Sequence, residues 1–307
     1  SSAKLTAFLG RSRTQLSYYR VDQATLRADP RANYNTTDEV LRTLFETADF
    51  RQALSIGIDR ELVNELAYSG LGEARQASPI TGSPYYNADL ESHWTEYDPD
   101  AANALLDGIG LTAMDAEGYR LRPDGQRLTL VVEANDAAHG PKLELLADNL
   151  TDIGIELLPR IIDRTQWDDN RDNNNFQVQW YPFDRMSVVP ADPRNIMGND
   201  SYAAQYYIWY STEGASGTEP PADHPIRSIW AAWDKASTAS DIAAADAAVN
   251  EMIETFVTNG YVIGVVGEET VPTIVGNNFH NLRPGLVMDD VARGIGLAQT
   301  QQMWMSQ

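Results

Sequence analysis

Apolar side chains recur at helical spacing between residues 38 and 68, and this pattern predicts consecutive helices. The three- and four-residue spacing occurs twice, at Phe50, Ala53, Leu54 and Ile56, and again at Leu62, Val63, Leu66 and Ala67. Asp59 stands shortly before the second set and is suited to cap the amino end of that helix. We therefore expect two helical pieces followed by a glycine-containing exit loop, residues 69–79.

The segment DPDAANALLDGIGL, residues 98–111, carries the clearest helix signal in the chain. Asp98 is placed to cap the helix, and Pro99 occupies the first helical position, where its missing N–H costs nothing. Gly108 and Gly110 follow an Ala/Leu stripe and are typical of a helix end.

Alternating apolar and polar residues between 115 and 184 predict a sheet. Residues 115–136 predict a hairpin that turns at the PDG of residues 123–125. A helix (142–153), the strand IELLPRIID, a polar helix or loop (164–175) and the strand FQVQWYPFD follow. This order of elements predicts an α/β fold with a mixed sheet flanked by helices.

The remaining segments are an early strand, residues 15–22, a long helical region, residues 226–256, and the strand YVIGVV, residues 261–266. Residues 186–225 are rich in turns and aromatic side chains and show no clear periodicity. Long unpatterned stretches often carry binding residues, because loops held by a rigid scaffold do so in many proteins.

Composition narrows the classes of function. The chain has 307 residues, a formal net charge of −21 and 43% hydrophobic residues, as expected of a soluble globular protein. Such a negative field repels phosphate groups, so we expect no nucleic-acid partner. The chain has no cysteine, which excludes disulfides and thiolate chemistry.

Metal and cofactor signals are also weak. The four histidines, at positions 93, 139, 224 and 280, lack the spacing of metal ligands. The acidic run DDNRDNNN, residues 168–175, lacks the glycine and the distal glutamate of an EF-hand loop. We therefore expect no metal and no cofactor.

Several segments together resemble one family. FRQALSIGIDRELVNELAYSGLGEARQASP, EYDPDAANALLDGIGL, DAEGYRLRPDGQRLTLVVE and LADNLTDIGIELLPRIIDRTQW occur in the order found in the extracellular solute-binding proteins of family 5. WYSTEGASGTEPP, GYVIGVVG and NNFHNLRPG continue this order, so the resemblance covers residues 41–307. The family comprises the dipeptide- and oligopeptide-binding components of ABC importers.

The resemblance implies a second lobe of a two-lobed, type II periplasmic binding protein. Residues 1–275 would form the ligand-binding lobe, and residues 276–307 would return toward a first lobe. Too few residues precede position 41 to supply that lobe, so we expect the chain to be the C-terminal half.

The implied function is capture of a di- or oligopeptide-like solute between two lobes and its delivery to the permease subunits of an ABC transporter. We expect a periplasmic protein, or an extracellular one associated with the membrane. Its partners would be the small solute, the permease and the missing N-terminal lobe of the same protein. It would not be an enzyme.

The resemblance also implies a site. In peptide-binding relatives, an aspartate shortly after a strand-end tryptophan receives the ligand's ammonium group. Trp180 and Asp184 match this pattern with one extra residue between them, and Asp192 is a rival. The alternative is that Asp184 caps a turn and Asp192 is an ordinary loop residue.

Further candidates are the aromatic residues Tyr207, Trp209 and Tyr210, whose rings suit sugar faces or peptide side chains. Packing beneath the loop is the alternative for them. Arg75 and Gln76, in the exit loop, are expected to reach the cleft, or to make salt bridges instead.

Other functions stay open. An oligosaccharide- or opine-binding receptor of the same family is one alternative. A glycoside hydrolase with paired carboxylates and aromatic subsites is another, although 44 acidic residues make any such pair an unspecific signal. The third is a module that only docks on the permease.

Overall fold

The computed structural model describes residues 16–22, 26–32, 36–199, 202–268, 270–276, 278–281 and 302–306. Most of the predicted C-terminal segment, residues 276–307, lies outside these ranges. Within them, no helix combines the length and the apolar character needed to cross a lipid bilayer.

Helices surround a small set of strands. In chain order they are α1 (Glu39–Glu46), α2 (Ala48–Ile56), α3 (Arg60–Tyr68), α4 (Ala88–Glu91), α5 (Pro99–Gly108), α6 (Gly140–Thr151), α7 (Arg164–Asp172), α8 (Arg194–Met197), α9 (Ala204–Ser211), α10 (Ile226–Ser237) and α11 (Ile242–Thr258). The two predicted caps are confirmed. Asp59 accepts a hydrogen bond from the Leu62 N–H at 2.9 Å, and Asp98 accepts one from the Ala101 N–H at 2.8 Å.

The strands are β1 (Leu16–Asp22), β2 (Leu26–Ala32), β3 (Glu73–Ala74), β4 (Thr129–Ala134), β5 (Glu156–Ile161), β6 (Val178–Phe183), β7 (Val266–Gly267), β8 (Thr270–Gly276), β9 (Phe279–His280) and β10 (Trp304–Met305). Four of them form a sheet in the order β2-β6-β4-β5. β4 runs parallel to both β5 and β6, while β2 is antiparallel to β6. The predicted mixed α/β sheet is confirmed.

One face of this sheet belongs to the hydrophobic core. Leu130 and Val132 of β4, together with Val178 and Trp180 of β6, are at most 5% exposed. Glu133 and Gln179, which follow Val132 and Val178 along the chain, point to the opposite face, because side chains alternate along a strand. That second face therefore carries polar side chains.

β1 and β8 form a separate two-stranded ribbon. They pair antiparallel over seven positions, from Leu16 opposite Gly276 to Asp22 opposite Thr270. The predicted early strand is therefore confirmed, and the ribbon brings together two segments that lie about 250 residues apart in sequence.

The predicted hairpin of residues 115–136 is confirmed at its PDG turn but is wrong in the pairing of its second strand. Across the turn, Leu121 bridges Arg127 in antiparallel fashion, and the Arg122 N–H donates to the Gln126 carbonyl at 2.7 Å. The second half of the predicted hairpin is β4, which pairs in parallel with β5 along its whole length. The Arg120 N–H donates to the Gly154 carbonyl at 2.7 Å, so the first half of the predicted hairpin also contacts the residues just before β5.

Two further segments differ from expectation. Residues 261–266 are predicted as a strand, but only Val266 lies in one. The backbone groups of Gly264 hydrogen-bond to side chains instead of to a neighbouring strand. Its N–H donates to the Gln76 side chain, and its carbonyl accepts from Arg60 at 2.9 Å. Residues 186–225 were expected to be unpatterned, but they contain α8 and α9.

Buried arginines bind the irregular segments to the helices. Arg120 is 1% exposed. Its Nε donates to the Ile153 carbonyl at 2.9 Å and its Nη2 to Asn103 Oδ1 at 2.6 Å, while its Nη1 contacts Asp107 at 2.6 Å and the Leu111 carbonyl. A guanidinium group offers five donors, so one side chain can satisfy several buried acceptors at once.

We predict that Arg120→Met lowers the free energy of unfolding by about 3 kcal/mol, because it leaves buried carbonyl groups without donors. Urea denaturation of this chain at pH 7 measures the loss. Lys235→Met is the matched control, because Lys235 and its partner Glu251 are both more than half exposed. It should cost about 1 kcal/mol or less. Equal losses in the two variants would contradict the structural role of Arg120.

Candidate functional site

The carboxyl ends of three strands meet at one edge of the sheet. β4, β5 and β6 are parallel, so Ala134, Ile161 and Phe183, their last residues, lie at the same edge. We call this the carboxyl edge. In open α/β sheets, ligands bind in the crevice outside such an edge. It is therefore the first place to look for a site.

A group of four charged side chains lies where the chain leaves β6 at the carboxyl edge. We call Asp184, Arg185, Asp192 and Arg194 the charge cluster. Arg185 joins both acids, with Nη1 2.6 Å from Asp184 Oδ1 and Nε 2.9 Å from Asp192 Oδ2. Arg194 Nε lies 2.8 Å from the other oxygen of Asp192. The cluster thus contains two carboxylates and two guanidinium groups, and its formal charge is zero.

The backbone supports this arrangement. Arg185 has φ of 72°, in the left-handed region that side chains other than glycine, asparagine and aspartate rarely adopt. The Asn195 side chain donates to the Asp184 carbonyl at 2.9 Å and fixes the preceding peptide group. Burial raises the pKa of Asp192, but hydrogen bonds from Arg194 and Arg185 outweigh burial and hold the pKa below its usual value.

Trp180, a predicted site residue, lies in the core. Its side chain is fully buried and makes an edge contact with the His139 ring, with centroids 6.3 Å apart. Asp184 is only 8% exposed, although it follows β6 directly. Contact of either residue with a ligand stays a prediction.

Arg75 and Gln76, the candidates in the exit loop, are also fully buried. Arg75 pairs with Glu91 at 3.0 Å and with Glu268, and it donates to the Pro79 carbonyl at 2.8 Å. Gln76 donates to the His93 carbonyl at 3.0 Å. The alternative of a salt bridge therefore holds for Arg75, and a role in ligand binding stays a prediction for both residues.

The aromatic candidates lie where α9 contacts α10. The Tyr210 ring stacks on Trp230 with centroids 4.8 Å apart, and its hydroxyl donates to Asp234. The Arg227 guanidinium lies 4.9 Å from the centre of the Trp209 ring. Tyr207, Trp209 and Tyr210 are all half-buried, so much of their ring surface packs against the protein itself.

The sequence reasoning missed Arg185 and Arg194. The signal was present as the alternation of acids and arginines at positions 184, 185, 192 and 194, directly after a predicted strand. Each aspartate has an arginine within two residues in sequence, Arg185 after Asp184 and Arg194 after Asp192. The structure makes these arginines part of the candidate site.

A second polar site lies on the opposite face of the sheet. A cavity of about 220 Å³ there is lined by Asp38, Glu133 and Arg160, among others. Glu133 is 2% exposed, and its two carboxylate oxygens accept from the Asn170 side chain at 2.9 and 3.0 Å. Within the described residues, no three His, Asp or Glu side chains are placed to hold a metal ion.

An aromatic stack containing His224 lies beside α10. The His224 ring stacks on Tyr261 at 6.0 Å and meets Tyr206 edge-on at 5.3 Å. Its Nδ1 accepts a hydrogen bond from the Ile226 N–H at 3.1 Å. Burial, together with the positive charge of Arg51, lowers the pKa of His224 to about 4.

We predict that His224 makes stability fall as the pH is lowered from about 6.5 toward 4. In that range the unfolded chain takes up a proton on the imidazole, whose free pKa is about 6.5, whereas the folded chain does not. Urea unfolding at pH 7, 6 and 5 should show a steeper loss in the wild type than in His224→Phe, which keeps an aromatic ring but cannot titrate. Parallel pH profiles would show that His224 is not buried in its neutral form.

Comparison with known proteins gives a family match and structural relatives. The model of the bacterial extracellular solute-binding proteins, family 5, middle region, matches residues 12–207. A probable ABC transporter-binding protein of Deinococcus radiodurans is 29% identical over 118 residues, which are 37% of this chain and 19% of that protein.

Solved structures extend the comparison over the whole chain. An oligopeptide-binding protein, OppA, matches with a TM-score of 0.82 and 29% identity, over 100% of this chain and 51% of that one. MelB of Agrobacterium fabrum, a periplasmic binding protein solved with stachyose, matches with a TM-score of 0.77 and 18% identity, over 99% and 47%. AppA of Bacillus subtilis, an oligopeptide-binding protein solved with a nonapeptide, matches with a TM-score of 0.71 and 15% identity, over 99% and 55%. The chain spans about half the length of these structures, and the predicted fold class is confirmed.

Proposed function

Because the chain belongs to family 5 of the bacterial extracellular solute-binding proteins, we propose that it is one lobe of the substrate-binding component of an ABC importer. The observation that carries this proposal is the match of the whole chain to about half of an oligopeptide-binding protein. The solute would bind between the carboxyl edge and a first lobe, and the closed form would dock on the permease. The protein would act in the periplasm or outside the cell.

The ribbon of β1 and β8 supports a two-lobed arrangement. Its strands lie near the two ends of the chain and run side by side. A pair of strands of this kind suits a hinge, since a few backbone residues can absorb the rotation when two lobes close on a ligand. In this proposal residues 1–275 form the ligand-binding lobe, and residues 276–307 return toward the first lobe.

The proposed solute is a di- or oligopeptide-like molecule, with an oligosaccharide as the second candidate. The named relatives include proteins solved with a nonapeptide and with stachyose. We place Asp184 and Asp192 at the solute and Tyr207, Trp209 and Tyr210 on an outer wall. Trp180, Arg75 and Gln76 would support the site from within the core.

The charge cluster argues against the rival function, a glycoside hydrolase. Such an enzyme needs one carboxylic acid with a raised pKa to protonate the leaving group. Arginine contacts lower the pKa of Asp192, and Asp184 is paired with Arg185 at 2.6 Å. The Asp192 carboxyl is therefore not prepared to donate a proton. In this proposal the protein binds its solute without making or breaking a bond.

Isothermal titration calorimetry with the intact protein and with this lobe alone tests the proposal, using short peptides and oligosaccharides as probes. The intact protein should bind one class saturably. The lobe alone should bind the same solute at least about 100-fold more weakly, because ligand pockets bury most of the ligand surface and one wall is absent. Equal affinities, or turnover of a peptide or glycoside, would contradict the proposal.

A further inference from the structure

We infer that the solute presents an uncharged hydrogen-bonding group to the carboxyl edge, because Arg185 already occupies the position that a ligand cation would take. The inference rests on the proposed function and concerns the specificity of the same site. It makes Arg185 a specificity-determining residue. It also differs from what the resemblance implied, namely that Asp184 receives an ammonium group.

An aspartate follows each of the three parallel strands within two residues. Asp136, after β4, caps a short helical turn by accepting from the Ala138 N–H at 2.9 Å. Asp163, after β5, caps α7 by accepting from the Gln166 N–H at 3.0 Å. Asp184 and Asp192, after β6, are both in ion pairs. Each of these four acids therefore already accepts from the protein.

A ligand ammonium group at Asp184 Oδ1 would compete with a charge-assisted contact of 2.6 Å, and Arg185 holds Asp192 through the same guanidinium group. The side chain of Arg185 is only 16% exposed, so displacing it would leave a largely buried cation without its partners. Such an uncompensated charge is costly, and this cost offsets what the ammonium group would gain.

The backbone of Arg185 is in the left-handed region. Its φ of 72° suits glycine or asparagine better than a long side chain. An arginine at this position is explained by what its side chain does, which is to reach Asp184 and Asp192 simultaneously. Arg194, at 45% exposure, adds a second guanidinium group at the outer side of Asp192. Within the charge cluster, the two guanidinium groups balance the two carboxylates.

The solute class that fits such an edge carries hydroxyl, amide or carbonyl groups there. An oligosaccharide meets this description, and so does a peptide that is held through its backbone. A free amino terminus is not required in either case. The two sources are separated by comparing peptide probes with an oligosaccharide probe.

The experiment compares tetra-alanine, N-acetyl-tetra-alanine and stachyose on the intact two-lobed protein by calorimetry at pH 7. Acetylation removes the ammonium group and leaves the rest of the peptide unchanged. We expect either that the two peptides bind within about threefold of each other or that stachyose is the tightest ligand. A wild-type preference of tenfold or more for the free amine over both other probes would overturn the inference.

Two variants sharpen the result. Arg185→Gln releases both acids, so we expect it to gain a preference of about tenfold or more for tetra-alanine over its acetylated form. Arg194→Gln keeps the contact between Asp184 and Arg185 and should gain none. Circular dichroism measures whether both variants fold. If Arg185→Gln does not fold, the comparison of the three probes on the wild type tests the inference. A folded Arg185→Gln without the new preference would contradict the inference, and failure of the intact wild type to bind any probe would contradict the proposed function and this inference together.

Discussion

Hydrogen bonds from buried arginines to backbone carbonyl groups hold the irregular parts of this protein in place. Arg60 donates to the Ser55 and Gly264 carbonyls, at 2.8 and 2.9 Å, and so connects the start of α3 to a segment about 200 residues away. Arg75 and Arg120 act in the same way in other connections. Buried carbonyl groups outside helices and sheets need such donors, and a guanidinium group can serve several of them.

The same constraint shapes the carboxyl edge. There, however, the guanidinium groups of Arg185 and Arg194 meet the carboxylates of Asp184 and Asp192 instead of carbonyl groups, after the end of β6. Ordered, satisfied polar groups present a fixed pattern of donors and acceptors to a solute. Recognition would then depend on matching this pattern and on lobe closure, with little contribution from net charge.

Local features of the fold were readable from sequence, and long-range ones were not. The caps by Asp59 and Asp98 were predictable because the donor lies within three residues of the acceptor. The partners of β4 were not, because β5 and β6 follow it in the chain only after α6 and α7. Arg75 has a partner, Glu268, 193 positions along the chain, so a sequence pattern could not show that the side chain is buried. For the site, the pattern located the end of β6 but missed the arginines that neutralise its acids.

A crystal structure of the intact protein with its bound solute tests the central claim most directly. The account predicts that the solute lies within hydrogen-bonding distance of the charge cluster at the carboxyl edge and that Arg185 still contacts both Asp184 and Asp192. A solute bound elsewhere on the lobe would contradict the account. So would an ammonium group on Asp184 with the guanidinium group of Arg185 displaced.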